Sequence, residues 1–135
     1  MNATATNPVD ILVIDDDAIM RELMADWLEA AGYRVRQAGD CGAALAEFKR
    51  QAPALVVTDM FMPGACGAEA IARLKAEQPG IALIAVSGYF NSGHGLSAEA
   101  ALSAGADRAL PKPVKRRELI QAVTEIGRAS CRERV

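Results

Sequence analysis

Aromatic side chains are scarce in this 135-residue chain: one Trp, two Tyr and three Phe make up 4% of it, against 51% hydrophobic residues overall. With so few large rings the core has to be built from Ala, Val, Ile and Leu, which suits a soluble α/β or α protein closed by many small contacts. Cysteine is sparse, and Cys41, Cys66 and Cys131 have neither zinc-site nor redox-pair spacing, so a reduced, cytoplasmic compartment is expected. No apolar run is long enough to cross a bilayer. No basic stretch precedes an apolar one near the N-terminus, so neither a membrane partner nor a secretory signal is expected. Positive charge is not in excess either: the net charge is -2, which argues against nucleic acid as a partner of this segment. What is left is one domain's worth of chain, long enough to bury a core without disulfides or a structural metal.

The ends differ from the middle. Residues 1–8 are polar and expected to be disordered. Glu125 to Val135 read Glu-Ile-Gly-Arg-Ala-Ser-Cys-Arg-Glu-Arg-Val, a string similar to the in-frame translation of a common sequencing adapter. Residues 126–135 are therefore expected to be a read-through tail and are set aside from fold reasoning. An output domain following residue 125 could have been lost with the natural end. The domain proper is expected at 9–125.

Within it, apolar runs alternate five times with amphipathic stretches. The runs are Val9–Ile14, Tyr33–Gln37, Ala54–Thr58, Ile81–Val86 and Arg108–Leu110. The first, third and fourth are almost continuous in Val, Ile, Leu and Ala, as strands covered on both faces are. Between them lie helical patterns. Ile19, Leu23, Trp27 and Leu28 share an apolar stripe that Gly32 ends; Met20 and Met24 are expected to pack beside it. Asp40 is placed to cap a second helix through Ala43, Leu45 and Phe48. Ile71 and Leu74 mark a third, ending near Pro79; Ala98–Ala104 suggests a short fourth; and Val114 to about Glu125 carries Leu119, Ile120 and Val123 as a fifth. Five β-then-α units joined by short links predict a doubly wound parallel sheet with helices on both faces. Such sheets bind ligands at the carboxyl ends of their strands.

Those strand ends hold the chemistry. The first ends in Asp15-Asp16-Asp17, the third in Asp59, the fourth in Ser87-Gly88 and the fifth in Lys112-Pro113. Each residue alone has a structural explanation: Asp16 or Asp17 can cap the first helix, Asp59 can open a loop, and a serine or lysine in a turn is ordinary. In this order at successive strand ends they point to one site. Crowded carboxylates repel one another and call for a cation. All-oxygen ligands suit Mg²⁺, which takes one or two carboxylates, waters and phosphate oxygens. A phosphoryl group in transfer spreads charge over three oxygens and needs cations and donors around it. Mg²⁺, Lys112 and Ser87 would meet that need, with Asp59 as the nucleophile that forms an aspartyl-phosphate.

Ile11-Leu12-Val13-Ile14-Asp15-Asp16-Asp17, Val57-Thr58-Asp59-Met60-Phe61-Met62-Pro63-Gly64, Gly105-Ala106-Asp107 and Lys112-Pro113 together resemble the receiver domains of bacterial two-component response regulators. The resemblance covers about residues 9–125. It implies a flavodoxin-like fold, with five parallel strands in the order 2-1-3-4-5, and a phosphorylation-dependent signalling switch rather than an enzyme acting on an external substrate. By the same resemblance Asp15, Asp16 and Asp59 hold Mg²⁺ with the backbone carbonyl of Phe61. Asp59 then accepts a phosphoryl group from a histidine kinase or histidine phosphotransfer protein, and Ser87 and Lys112 bind its oxygens. The output surface would be made by the fourth helix, fifth strand and fifth helix, where Arg116 and Arg117 could meet a downstream partner.

Several positions depart from the family pattern. Ala109 stands where many receivers have an aromatic residue, so the readout must use other groups, such as the Gly-rich segment 88–97. Cys66 replaces a frequent Asp and is assigned no role. Phe61 and Tyr89, each two residues after a site residue, are placed to hinder an attacking water, so slow spontaneous dephosphorylation is expected. His94 is read as a solvated surface group and Trp27 as core. Two competing functions are a phosphorylation-independent receiver used for binding, and a haloacid-dehalogenase-like phosphatase. The phosphatase would use Asp15, Asp17, Ser87 and Lys112, but it leaves Asp59 unexplained and lacks a downstream acid pair and a cap domain.

Overall fold

Along the first strand, Ile11 and Val13 turn to one side and Leu12 and Ile14 to the other, and none is more than 1% exposed. That alternation with apolar residues on both sides requires helices on both faces. A computed structural model of the chain describes residues 9–59, 68–87, 102 and 105–133. The elements in order are β1 (Asp10–Ile14), α1 (Ala18–Ala30), β2 (Arg34–Ala38), α2 (Cys41–Arg50), β3 (Leu55–Asp59), α3 (Ala68–Glu77), β4 (Ala82–Ser87), β5 (Arg108–Pro111) and α4 (Arg116–Glu133). Every strand begins and ends within a residue or so of its expected place.

The five strands form one parallel sheet in the order β2-β1-β3-β4-β5. On one face Leu12 and Ile14 pack with Ala44 and Phe48 of α2 and Ile71 and Leu74 of α3. On the other, Ile11 and Val13 pack with Met24 and Leu28 of α1 and Leu119 and Val123 of α4. This is the doubly wound, flavodoxin-like architecture. Its switch point lies between β1 and β3, where the chain changes the side on which it adds strands.

Local chemistry accounts for the joints. Asp17 caps α1, its carboxylate accepting from the backbone N–H groups of Ile19 at 3.0 Å and Met20 at 3.3 Å. The helix closes with Tyr33 N–H donating to Leu28 C=O at 3.1 Å while Gly32 sits at φ 101°, a left-handed exit that favours glycine. Asp40 caps α2 through Ala43 N–H at 2.7 Å. On β2, Arg36 clamps Asp10 at 2.8 Å and Glu47 at 3.1 Å, tying the edge strand to α2; hydrogen bonds from Arg50 and then Arg36 hold the Glu47 carboxyl below its ordinary range. Asp107 sets the register of β5: its carboxylate accepts from Leu83 N–H at 2.8 Å and its own N–H donates to Leu83 C=O at 2.7 Å.

Two sequence expectations are corrected. Ile19 and Leu23, expected on the buried stripe of α1, face solvent at 81% and 40% exposure. The buried stripe is Met24, Ala25 and Leu28, with Met20 and Trp27 half-buried against the same cluster. Residues 19–28 are apolar around more than half the helix, so periodicity alone could not choose the angle. Ile126, set aside with the tail, is in the core at 6% exposure. It continues the Leu119, Ala122, Val123 stripe by one more turn, and the helix runs on to Glu133 instead of ending near Glu125.

Residues 1–8, the segment 88–97 and all of the expected fourth helix except Leu102 lie outside the described residues. Among the described residues no helix is long and apolar enough to cross a membrane.

Candidate functional site

Three acidic side chains meet where β1 and β3 end. Asp15 extends the pairing of β1 by one residue, donating its N–H to Ala38 C=O at 3.1 Å, and its side chain is fully buried. Because Asp17 is committed to the α1 cap, the chain must turn within Asp15 and Asp16. In that turn Asp17 N–H donates to Asp15 Oδ1 at 2.9 Å. Asp59 is the last residue of β3, adjacent to β1, and is also buried. Asp16 is exposed. One carboxylate oxygen from each of Asp15, Asp16 and Asp59 lies within 4.8 Å of the others.

Lys112, one residue beyond β5, reaches over this cluster. Its Nζ donates to Asp59 Oδ2 at 3.0 Å and stands 3.2 Å from Asp15 Oδ2. The second distance is that of an ion pair without hydrogen-bond alignment, and Asp15 Oδ2 remains a buried oxygen with no hydrogen-bond donor. Among the described residues, one ammonium, Lys112, stands beside this group of carboxyls.

The ionisation of these groups follows from that crowding. Burial, and to a lesser degree the Asp59 charge, raise the Asp15 carboxyl above its ordinary value, although the Asp17 N–H and Lys112 pull the other way. For Lys112 burial alone would lower the ammonium, but the hydrogen bond and charge of Asp59, with Asp15 beyond, outweigh it and raise it.

The residues present fit a divalent cation. A buried carboxylate oxygen with no hydrogen-bond donor, beside two further carboxylates, is a hard-oxygen donor set. Ligands about 2.1 Å from Mg²⁺ stand at most about 4.2 Å apart, so oxygens within 4.8 Å of one another need only a small side-chain adjustment.

Of the other expected site residues, Ser87 ends β4, one residue past Val86, which is in register with Asp59; its own β5 partner is Pro111, next to Lys112. The backbone thus sets position 87 at the same sheet edge, between Asp59 and Lys112. Phe61, with its carbonyl, and Tyr89, His94 and Cys66 lie outside the described residues. Ala109 stands in register with Ala85. Reasoning from the sequence missed Arg21, whose Nη1 donates to Asp15 C=O at 2.8 Å; the only signal was a basic residue one turn beyond an acidic cap.

An open parallel α/β sheet with a carboxylate cluster and a half-buried ammonium at its switch point is the kind of sheet edge where α/β proteins can hold a charged ligand. The relatives make this specific. Residues 11–124 match the family model described as the response regulator receiver domain, and the chain belongs to that family. It is 30% identical over 113 residues to the probable transcriptional regulatory protein TcrX of Mycobacterium tuberculosis, covering 84% of this chain and 47% of that protein. NtrX from Brucella abortus superposes with a TM-score of 0.86 at 31% identity, over 94% of this chain and 28% of that one. A CheY-like receiver domain protein from Methanospirillum hungatei superposes with a TM-score of 0.85 at 29% identity, over 93% and 98%. The chain thus spans about half the length of TcrX.

Proposed function

We propose that the chain is a phosphorylation-dependent switch of a two-component system, with Asp59 as the phosphoacceptor. The observation behind this reading is the bridge of Lys112 Nζ between Asp59 Oδ2 at 3.0 Å and Asp15 Oδ2 at 3.2 Å. It sets a nucleophilic carboxylate beside a fixed cation at the switch point of the sheet. The donor is a phosphohistidine on a histidine kinase or phosphotransfer protein, or a small acyl phosphate. An Asp59 oxygen attacks phosphorus in line; with phosphohistidine the bond from phosphorus to the imidazole nitrogen breaks, and that nitrogen keeps the electron pair and takes up a proton, whereas with an acyl phosphate the bond from phosphorus to the carboxyl oxygen breaks and the carboxylate leaves with the pair.

Asp15, Asp16 and Asp59 would hold Mg²⁺, with the Phe61 carbonyl as a further ligand, and the ion supplies charge neutralisation between carboxylates and phosphoryl oxygens. Lys112 then binds one phosphoryl oxygen and the Ser87 hydroxyl another. The new charge biases a two-state surface around β5 and α4, which a downstream protein or a further domain reads. With Ala109 in β5, that readout does not use an aromatic rotation at this place. The same site would return the phosphoryl group to water, so the chain catalyses its own labelling and unlabelling rather than turnover of a separate substrate.

Incubation with acetyl phosphate and Mg²⁺ tests this. The expected result is one added phosphoryl group, mapped to Asp59 and absent from Asp59→Asn. Labelling at Asp15 would support the phosphatase reading, and no labelling with either acetyl phosphate or beryllofluoride would support a phosphorylation-independent binding module.

A further inference from the structure

We infer that Arg21 is a positioning residue for the cation site, holding the Asp15–Asp16 peptide in the orientation that aims the exposed Asp16 carboxylate at the cluster. The inference rests on the cation-site reading above and adds a residue to it.

Arg21 lies one turn into α1, its backbone N–H bound to Asp17 C=O at 2.9 Å. Its side chain runs back towards the strand edge, where Nη1 donates to Asp15 C=O at 2.8 Å and Nε donates to Gln37 Oε1 of β2 at 3.1 Å. Asp15 is thereby held at three points: its N–H by Ala38, its carboxylate by Asp17 N–H, and its carbonyl by Arg21. The carbonyl belongs to the peptide that joins Asp15 to Asp16. Its direction sets the plane from which the next Cα, and so the Asp16 side chain, departs. Asp15 and Asp59 are oriented by burial in the sheet edge, whereas the exposed Asp16 depends on this peptide.

Two further observations separate positioning from simple charge balance. Among the described residues Arg21 makes no ion pair, although its guanidinium binds the backbone beside the acidic cluster. It directs its donors to a carbonyl and an amide oxygen instead. The space it occupies is also tailored: a Cβ at Gly39 would stand 3.3 Å from Arg21 Nη1. Alanine there would require the guanidinium to give by a few tenths of an ångström, which strains its two hydrogen bonds without removing them.

The sign of the effect distinguishes the two roles. A fixed positive charge near a cation site repels the cation, so removing it for charge reasons alone tightens binding. Removing a positioning contact loosens binding, and outer-shell substitutions commonly weaken metal affinity by about 10-fold or more. Mg²⁺ affinity is measured calorimetrically on the full metal-free chain without any phosphodonor, and the melting temperature in chelator reports folding. Arg21→Ala is expected to weaken Mg²⁺ about 10-fold. Gly39→Ala is expected to weaken it less, and to add nothing in the Arg21→Ala background, because both act through one contact. Wild-type or tighter affinity in Arg21→Ala overturns the inference. Should Arg21→Ala fail to fold, wild-type or tighter affinity in Arg21→Met, which keeps the aliphatic stem and removes both donors, overturns it equally. Asp16→Ala separates the two readings. If it binds Mg²⁺ as well as wild type, or wild type binds none, the cation-site reading fails and the inference with it. If Asp16→Ala is weak and Arg21→Ala is not, only the role of Arg21 is lost.

Discussion

The Lys112 ammonium lies within 3.2 Å of carboxylate oxygens from two different strands, Asp15 beyond β1 and Asp59 at the end of β3. Among the described residues it is the cation that faces both carboxylates. Replacing it with alanine leaves two buried carboxylates facing each other. The metal-free protein should lose roughly 3 kcal/mol at pH 7, the low end for breaking a buried pair, because Lys112 keeps some solvent contact. Urea unfolding in chelator measures this. Mg²⁺ should stabilise Lys112→Ala more than wild type, since the cation then replaces the missing charge.

Asp15 should cost stability at neutral pH when no metal is bound. Its carboxyl is raised above the ordinary 3.8, burial being the main cause, so between the unfolded and folded values the native state holds a proton that the unfolded chain has released. The stability it confers is therefore present below the unfolded value and lost as pH rises through the folded one. Metal-free Asp15→Asn is expected to melt several degrees above wild type at pH 7, with the gap closing below pH 3.8. Lys112 works at the other end: its raised value keeps its stabilisation below the ordinary 10.5 and loses it as pH rises through the folded value. Equal melting of Asp15→Asn and wild type at pH 7 would refute the Asp15 argument.

Asp17→Ala separates the switch from the phosphatase. Asp17 accepts two backbone N–H bonds as the cap of α1, so its loss should cost about 1 kcal/mol and leave acetyl phosphate labelling of Asp59 intact. A phosphatase using Asp17 as its acid would lose activity altogether.

Gly105 supports the sheet from outside the site. It sits at φ 131°, and a Cβ there would stand 3.3 Å from both Ile71 Cγ2 and Lys75 Cε. Gly105→Ala should destabilise by about 2 kcal/mol through backbone strain and crowding without changing Mg²⁺ affinity in the folded fraction. Chemical denaturation alongside calorimetry checks both parts.

Phe61→Ala should shorten the lifetime of the aspartyl-phosphate if the ring shields it from an attacking water. Decay of the labelled protein at fixed Mg²⁺ is the measurement, and an unchanged lifetime removes Phe61 from that role.

Much of this molecule is legible in its sequence. The sheet followed from near-continuous Val, Ile and Leu runs, and the gathering of Asp15, Asp59 and Lys112 from their places at the ends of those runs, because parallel α/β sheets bring successive strand ends to one edge. Asp40 as a helix cap and Gly32 as a helix stop were equally plain, since both act within a few residues of themselves. What could not be read was every choice among neighbours of the same type. Asp16 and Asp17 are adjacent acids, and which one caps α1 depends on how the strand end hands the chain to the helix. Ile19 and Met24 are both apolar, and which turns inward depends on the angle at which α1 meets the sheet.

The sequence by itself determined the order of elements, the two-sided burial of the strands and the edge on which the charged groups gather, because periodicity and local hydrogen bonding are properties of short stretches of chain. Only the tertiary structure decided that Lys112 bridges Asp15 and Asp59, that Arg21 grips the Asp15 carbonyl and that Ile126 is core. Those contacts join residues far apart in the chain or depend on how a helix seats against the sheet, and seating is set by the packing of the whole domain.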